Sequence, residues 1–294
     1  MLEVIQETLI DSIKILPFLF ITYLIMEYIE HKMKEKSKKA IQKSGKYGPI
    51  IGSILGIFPQ CGFSVSATNL YAGRVITLGT LIAIYLSTSD EMLPILISEQ
   101  VSPIIIIKIL ITKVIIGIIA GFAIDIVINQ IRKRKTSQDS IKSEKEEIDI
   151  GHLCEEEHCH CDEKGILKSA IKHTINIFIF IIIITFIINT AVYFIGEENI
   201  SNLLLDTVFL GPIVAGLIGL IPNCAASVIL TNMYLENVIS AASLISGLLV
   251  GAGVGLAVLF KTNKNLKENI RIVILLYLIG VISGFIIQGL GINF

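Results

Sequence analysis

The sequence lacks several features that would point to familiar classes of protein. It has no Walker motif, so ATP hydrolysis by this chain is not expected. The chain is predicted not to be an enzyme. It has no tryptophan, which leaves tyrosine, lysine and arginine to mark helix ends at a membrane surface. The first apolar run begins without a basic segment or a small-residue cleavage site, which predicts a retained helix rather than a signal peptide. The five cysteines do not form the pattern of a disulfide framework.

Apolar residues, by contrast, are abundant. They make up 53% of the chain, and the mean hydropathy is +0.77. Runs such as 101–129 and 166–195 are longer than the roughly 20 residues that a helix needs to cross a bilayer. The composition therefore predicts an all-α polytopic membrane protein.

An internal repeat organises these apolar runs. The segment Phe-Pro-Gln-Cys-Gly at 58–62 returns as Ile-Pro-Asn-Cys-Ala at 221–225, an offset of 163 residues. The same offset relates the neighbouring pairs Gly48-Pro49 and Gly211-Pro212, Ser64 and Ser227, Thr68-Asn69 and Thr231-Asn232, and Tyr71 and Tyr234. It also relates Gly117-xxx-Gly121 to Gly280-xxx-Gly284, a spacing that predicts a close contact between helices in both halves.

The repeated motif predicts a helical hairpin that enters and leaves the membrane on one side. Its first arms, 49–58 and 63–72, are about 10 residues each, which is half a bilayer of helix. Pro59 disfavours helix at the residue before it, so a break is expected there. The second hairpin is predicted at 211–236. Full crossings are predicted at 4–29, 75–97, 102–129, 166–195, 238–260 and 270–290.

Charge decides the orientation of these segments. The loop that follows the first crossing carries seven lysines and one glutamate between residues 31 and 46, which places it in the cytoplasm with both chain termini outside. Three crossings and one hairpin per half turn the second half upside down relative to the first. This inverted repeat, which is typical of secondary transporters, divides the chain into 1–130, a cytoplasmic linker at 131–165, and 166–294.

The two hairpin tips are predicted to share one substrate site. Half-helices that start at Gly62 and Ala225 would direct backbone amides toward an anion. Two thiols would instead select a soft ion such as a trivalent arsenical, Cu(I) or Zn(II), although a buried cysteine is also an ordinary packing residue. The candidate substrate-binding residues are Gln60, Cys61, Ser64, Thr68, Asn69, Asn223, Cys224, Ser227, Thr231 and Asn232.

Carboxylates occur inside a predicted crossing of the first half only. Asp90 and Glu91 follow Ser-Thr-Ser at 87–89, and a carboxylate at such a depth costs about 2.5–3.5 kcal/mol. They could bind a coupling ion or a hard divalent metal, or Asp90 could cap the second piece of a broken helix. Lys113, in the next predicted crossing, is a candidate partner for Asp90 or Glu91. The predicted coupling-ion or metal residues are Ser87, Ser89, Asp90, Glu91 and Lys113.

The linker is dense in metal-binding residue types. Its spacing matches no closed zinc finger, but its thiols would remain reduced in the cytosol, which favours capture of a transition metal such as zinc or manganese. A disordered acidic loop is the alternative, and no other cofactor is required. The candidate ligands are His152, Cys154, His158, Cys159, His160 and Cys161.

These motifs together give the chain a family resemblance. Pro-Gln-Cys-Gly-Phe-Ser at 59–64, Pro-Asn-Cys-Ala-Ala-Ser at 222–227, Ser-Thr-Ser-Asp-Glu at 87–91 and the His-Cys-His-Cys linker resemble a bacterial family of ten-transmembrane heavy-metal exporters. Members of that family are described as manganese transporters or arsenic efflux proteins, and the family is similar to the organoarsenical permeases. The resemblance implies ten hydrophobic segments in the bacterial inner membrane. A manganese cargo would implicate Asp90, Glu91, Gln60 and Asn223, and an arsenical would implicate Cys61 and Cys224.

Three functions follow from these observations. The first is secondary-active efflux of a metal or metalloid species by alternating access at the shared hairpin site. The second is a cation- or proton-coupled carrier of a small organic anion, and the third is a membrane-bound metal sensor whose linker is the active part. The expected partners are the lipid bilayer, the small cargo and a proton or cation as coupling ion. A homodimer is left open, and no nucleic acid is expected.

Overall fold

The computed structural model describes residues 8–25 except 11, 14, 18 and 22, and residues 45–57, 61–89, 92–136, 166–195 and 210–292. This part of the chain is helical and contains no strand. We number its helices α1 (Thr8–Ile25), α2 (Gly48–Leu55), α3 (Cys61–Ala72), α4 (Leu78–Ser87), α5 (Met92–Ser98), α6 (Pro103–Thr136), α7 (Ile166–Ile195), α8 (Gly211–Gly219), α9 (Ala225–Leu235), α10 (Ala241–Val250), α11 (Val254–Thr262) and α12 (Leu266–Gly289).

Helices α2 to α6 of the first half correspond to α8 to α12 of the second at the offset seen in the sequence. Local details repeat as well. Thr77 accepts a backbone N–H bond at the start of α4, and Ser240 does the same at the start of α10. Just before these caps, Arg74 and Asn237 have left-handed φ angles of 56° and 60°. Equivalent sequences therefore produce equivalent turns, caps and helix starts in the two halves.

Packing within each half follows the same scheme. Helices α2, α4 and α6 pack against one another, as do α8, α10 and α12. Between the halves the contacts are exchanged, because α3 packs on α11 whereas α9 packs on α5. Helices α4 and α10, one from each half, also contact each other. A buried apolar cluster runs through both halves along these contacts.

The repeated small-xxx-small pattern marks a close helix contact in both halves, as predicted. A Cβ atom at Gly121 of α6 would lie 2.7 Å from the carbonyl oxygen of Gly79 in α4. A Cβ atom at Gly284 of α12 would lie 3.0 Å from the carbonyl oxygen of Ala242 in α10. The backbones approach so closely that side chains larger than hydrogen do not fit there.

Among the described residues, six helical stretches are long and apolar enough to cross a membrane, and two of them are broken in the middle. The first break separates α4 from α5 at Thr88–Ser89, where a broken helix was one of the alternatives left open for the predicted crossing 75–97. The second separates α10 from α11 at Gly251–Gly253, although 238–260 was predicted as one crossing. There Gly253 has φ 53° and ψ −145°, a conformation that in practice only glycine adopts. A Gly-Ala-Gly sequence thus lies at the break of the second half, and Thr88-Ser89 lies at the break of the first.

Helices α1 and α7 lie beside this repeated unit. The side-chain amide of Asn189, near the end of α7, donates to Thr8 at the start of α1 over 3.1 Å. Residues of both helices, such as Ile15 and Ile177, share a second buried apolar cluster. The two helices therefore run antiparallel to each other.

Candidate functional site

A small cavity lies where the two broken helices meet the second copy of the repeated motif. Its volume is about 10 Å³, which is close to the room required by a single water molecule. One side comes from the break after α4, a second from the turn between α8 and α9, and a third from the end of α10 and the break after it. The lining residues are Thr88, Ser89, Gly219, Asn223, Ala226, Ser227, Gly247, Leu248, Gly251 and Gly253.

The hydroxyl groups that line this cavity already donate their protons in hydrogen bonds to backbone carbonyls. Thr88 and Ser227 donate to backbone carbonyls of their own segments over 2.7 and 2.8 Å, and Ser89 donates to the carbonyl of Ile57. A carbonyl can only accept, so each hydroxyl must be the donor in its bond. Since a hydroxyl has one proton and two lone pairs, these three oxygens retain only acceptor capacity. They can therefore ligate a cation but cannot donate to an anion without giving up an existing bond.

Asn223 is held in place by a chain of amides. Its side-chain NH₂ donates to the oxygen of Asn189, and its own oxygen accepts the backbone N–H of Cys224 over 2.7 Å. Asn189 in turn donates to Thr8. Sequence reasoning had not singled out Asn189 or Thr8. The signal that could have found Asn189 is a carboxamide inside an otherwise apolar crossing, which requires a polar partner.

Cys224 occupies the cap position before α9, but it does not line the cavity. Its side chain is buried in an apolar cluster that includes Val65, Ile181 and Val254. Cys61 begins α3, and its side chain lies outside the described part. Val65, one turn beyond Cys61 on α3, belongs to the same cluster, so α3 and the second motif copy share a buried core. The role of either thiol as a ligand stays a prediction.

A second polar cluster joins the halves beside the cavity. The hydroxyl oxygens of Thr68 and Tyr85 are 2.5 Å apart, and they reach the carbonyl oxygen of Gly255 at 3.1 and 3.3 Å. Ser64 packs against the same glycine, where an added Cβ atom would lie 2.8 Å from the Cβ of Ser64. The predicted site residues Ser64 and Thr68 thus hold α3 against α11. Tyr85 was missed by the sequence analysis, although a tyrosine within a crossing is a visible signal.

The other predicted site residues are divided between buried and exposed positions. Thr231 and Ser87 are buried and donate to carbonyls of their own helices over 2.7 and 2.8 Å. Asn69 is buried, its oxygen lies 3.4 Å from the donor hydroxyl of Tyr23, and its nitrogen has no hydrogen-bond partner among the described residues. Asn232 is exposed on α9 and does not line the cavity.

Lys113 lies in the interior, with 0% of its surface exposed. Its ammonium group donates to the carbonyl oxygen of Thr88 and, over 3.1 Å, to that of Leu248. Both of these residues line the cavity. The lysine therefore joins the first break to the end of α10, and so bridges the two halves.

Several predicted residues lie outside the described part of the chain. They are Gln60, Asp90, Glu91 and the six linker residues at 152, 154 and 158–161. Within the part that is described, no three His, Cys, Asp or Glu residues are grouped so that they could hold a metal ion.

Comparison with known proteins gives one match. A family model described as "Putative, 10TM heavy-metal exporter" matches the chain over residues 1–157 and 144–260. No curated protein and no solved structure matches the chain.

Proposed function

We propose, from the premise that the chain belongs to the 10TM heavy-metal exporter family, that it exports a hard divalent cation such as Mn²⁺ through the cavity between its two broken helices. The observation that carries this proposal is the state of the cavity hydroxyls. Thr88, Ser89 and Ser227 all donate their protons to protein carbonyls, so what they offer the cavity is oxygen lone pairs.

Oxygen ligands favour manganese over an arsenical. Manganese prefers carboxylate, carbonyl and water oxygens, whereas a trivalent arsenical prefers thiolates. The cavity is lined by three hydroxyls and the carboxamide of Asn223, and the residue that follows Ser89 in the chain is Asp90. Cys224 packs away from the cavity among apolar side chains. An organic anion would need hydrogen-bond donors, which these hydroxyls do not have to spare.

The exchanged contacts between the halves support alternating access by an inverted repeat. A contact of α3 with α11 that is mirrored by one of α9 with α5 is what a pseudo-two-fold axis produces. Helices α2, α3, α8 and α9 have only 8, 12, 9 and 11 residues, which at 1.5 Å per residue is about half a bilayer each. We therefore assign α2–α3 and α8–α9 as the two re-entrant hairpins.

An ion pair between the halves supports the proposed orientation. Arg74, just after α3, donates to both carboxylate oxygens of Glu268 over 3.0 and 3.3 Å, and Tyr71 donates to the same carboxylate. Glu268 lies beside Lys264 and Lys267 in the chain. The positive-inside rule predicts that these lysines are cytoplasmic, and it separately predicts the same of the end of the first hairpin. The ion pair joins these two regions. We assign this pair as a cytoplasmic contact that opens and closes during transport.

Transport by reconstituted protein tests the proposal. We expect Asn223→Ala to slow Mn²⁺ transport into vesicles by about tenfold or more, the range seen when groups that hold a metal are removed. Cys224→Ser is the matched control, because it changes the neighbouring residue outside the cavity and should leave Mn²⁺ transport near the wild-type rate. The opposite pattern, with Asn223→Ala active and Cys224→Ser inactive, would assign the thiol as the ligand and reject the oxygen site.

A further inference from the structure

The ammonium group of Lys113 lies at the ends of two helices from different halves of the molecule. Thr88 is the first residue after α4, and Leu248 is in the last turn of α10. The last carbonyls of a helix have no intrahelical partner, and they carry the negative end of the helix dipole. Lys113 donates to one such carbonyl from each helix.

Both helix ends attract the ammonium group, because each is equivalent to about half a negative charge. Helices α2, α4, α5 and α10, which pack against α6, contain no charged side chain. Asp90 and Glu91, between α4 and α5, lie outside the described residues.

The second half has no equivalent of this lysine. The residue that corresponds to Lys113 is Leu276, and the one that corresponds to Asp90 is Gly253. The cationic position is therefore a feature of one half only, added to a repeated framework.

We infer that the ends of α4 and α10 form a binding site for a small monovalent cation, and that Lys113 fills this site with a tethered ammonium group. The wild-type protein then needs no Na⁺ or K⁺ at this position. Removal of the side chain should turn the position into a site for a free ion, since backbone carbonyls at helix ends are the groups that coordinate Na⁺ inside transporters. The inference does not depend on the identity of the cargo.

The test is binding of radiolabelled Na⁺ and thermal unfolding of the full-length protein, purified in detergent. Salt is varied between NaCl, KCl and the chloride of a bulky organic cation at constant ionic strength. We expect Lys113→Ala to bind Na⁺ or K⁺ saturably and to gain melting temperature with either, because a ligand that binds only the folded state stabilises it. The wild type and Lys108→Ala, an exposed lysine on the same helix, should show neither effect.

Two further variants keep the test decisive. Lys113→Gln, which preserves most of the volume, should show the same ion dependence if the alanine variant does not fold. Lys113→Ala combined with Asp90→Asn should still bind the ion, because the helix ends remain. Loss of binding in the double variant would assign the site to the carboxylate, and absence of ion dependence in both single variants would overturn the inference. Neither result bears on Mn²⁺ transport, which tests the proposed function separately.

Discussion

Replacing Gly253 with alanine tests whether the break between α10 and α11 shapes the cavity. Gly253 has φ 53° and ψ −145°, and a residue with a Cβ atom in such a region costs of the order of 1–3 kcal/mol. If the variant keeps the break, its free energy of unfolding falls by that amount. If the variant loses the break, the α10–α11 crossing straightens and the carbonyl of Leu248 moves away from Lys113. In the first case we expect stability to fall, and in the second we expect Mn²⁺ binding to fall as well.

Gly251, two residues earlier, is the matched control. Its φ of −69° and ψ of 87° suit any residue, and an added Cβ atom would meet its nearest neighbour at 3.4 Å, an ordinary contact. Gly251→Ala should therefore change the free energy of unfolding by less than about 0.5 kcal/mol. Chemical unfolding of both purified variants measures this difference, whereas Mn²⁺ titration is applied to Gly253→Ala alone, because Gly251 also lines the cavity. Equal losses in the two variants would refute the assignment of the cost to the backbone at Gly253.

Two further predictions concern the framework around the cavity. Gly121→Ala should lower the free energy of unfolding by about 1–3 kcal/mol, because its Cβ atom would overlap the backbone of α4. Gly289→Ala is the control, since its Cβ atom would meet nothing within 4 Å, and it should be neutral in the same unfolding measurement. Tyr85→Phe should cost about 0.5–1.5 kcal/mol by the same assay, because it removes a hydroxyl that joins the halves, and Tyr47→Phe, at a side chain 67% exposed, should cost nothing measurable. A neutral Tyr85→Phe would show that this cluster does not stabilise the contact between the halves.

Much of the fold could be predicted because it depends on local backbone preferences that the chain repeats. The proline and carboxamide of each motif copy, and the serine-rich break before Asp90, are departures from helix that an apolar segment does not otherwise contain. Helix limits in both repeats follow from such signals, whereas helix α7 matches the bounds 166–195 of its apolar run. The second break was missed because glycines also occur within continuous membrane helices. Only the backbone angles at Gly251 and Gly253 distinguish a broken helix from a continuous one.

The candidate site could be predicted only in part, since it depends on which distant side chains meet. The pattern indicated Asn223, Ser227 and Ser89, but it could not show that their hydrogen bonds leave acceptors facing the cavity. The partner of Asn223 is Asn189, which lies in a different crossing. The expected pairing of Lys113 with Asp90 or Glu91 stays a prediction, and its bonds to two helix ends were not foreseen. The roles of Asp90, Glu91 and the linker stay predictions.

The most direct test of the central proposal is equilibrium binding of Mn²⁺ to protein that lacks residues 152–162. Deletion of this segment removes the linker ligands, so that metal bound by the remaining protein reports on the membrane part alone. We predict saturable binding of one Mn²⁺ per chain, and a loss of affinity of about tenfold or more in the same protein with Asn223→Ala. Binding that is absent without the linker, or that is unchanged by Asn223→Ala, would contradict a metal site in the cavity between the two broken helices.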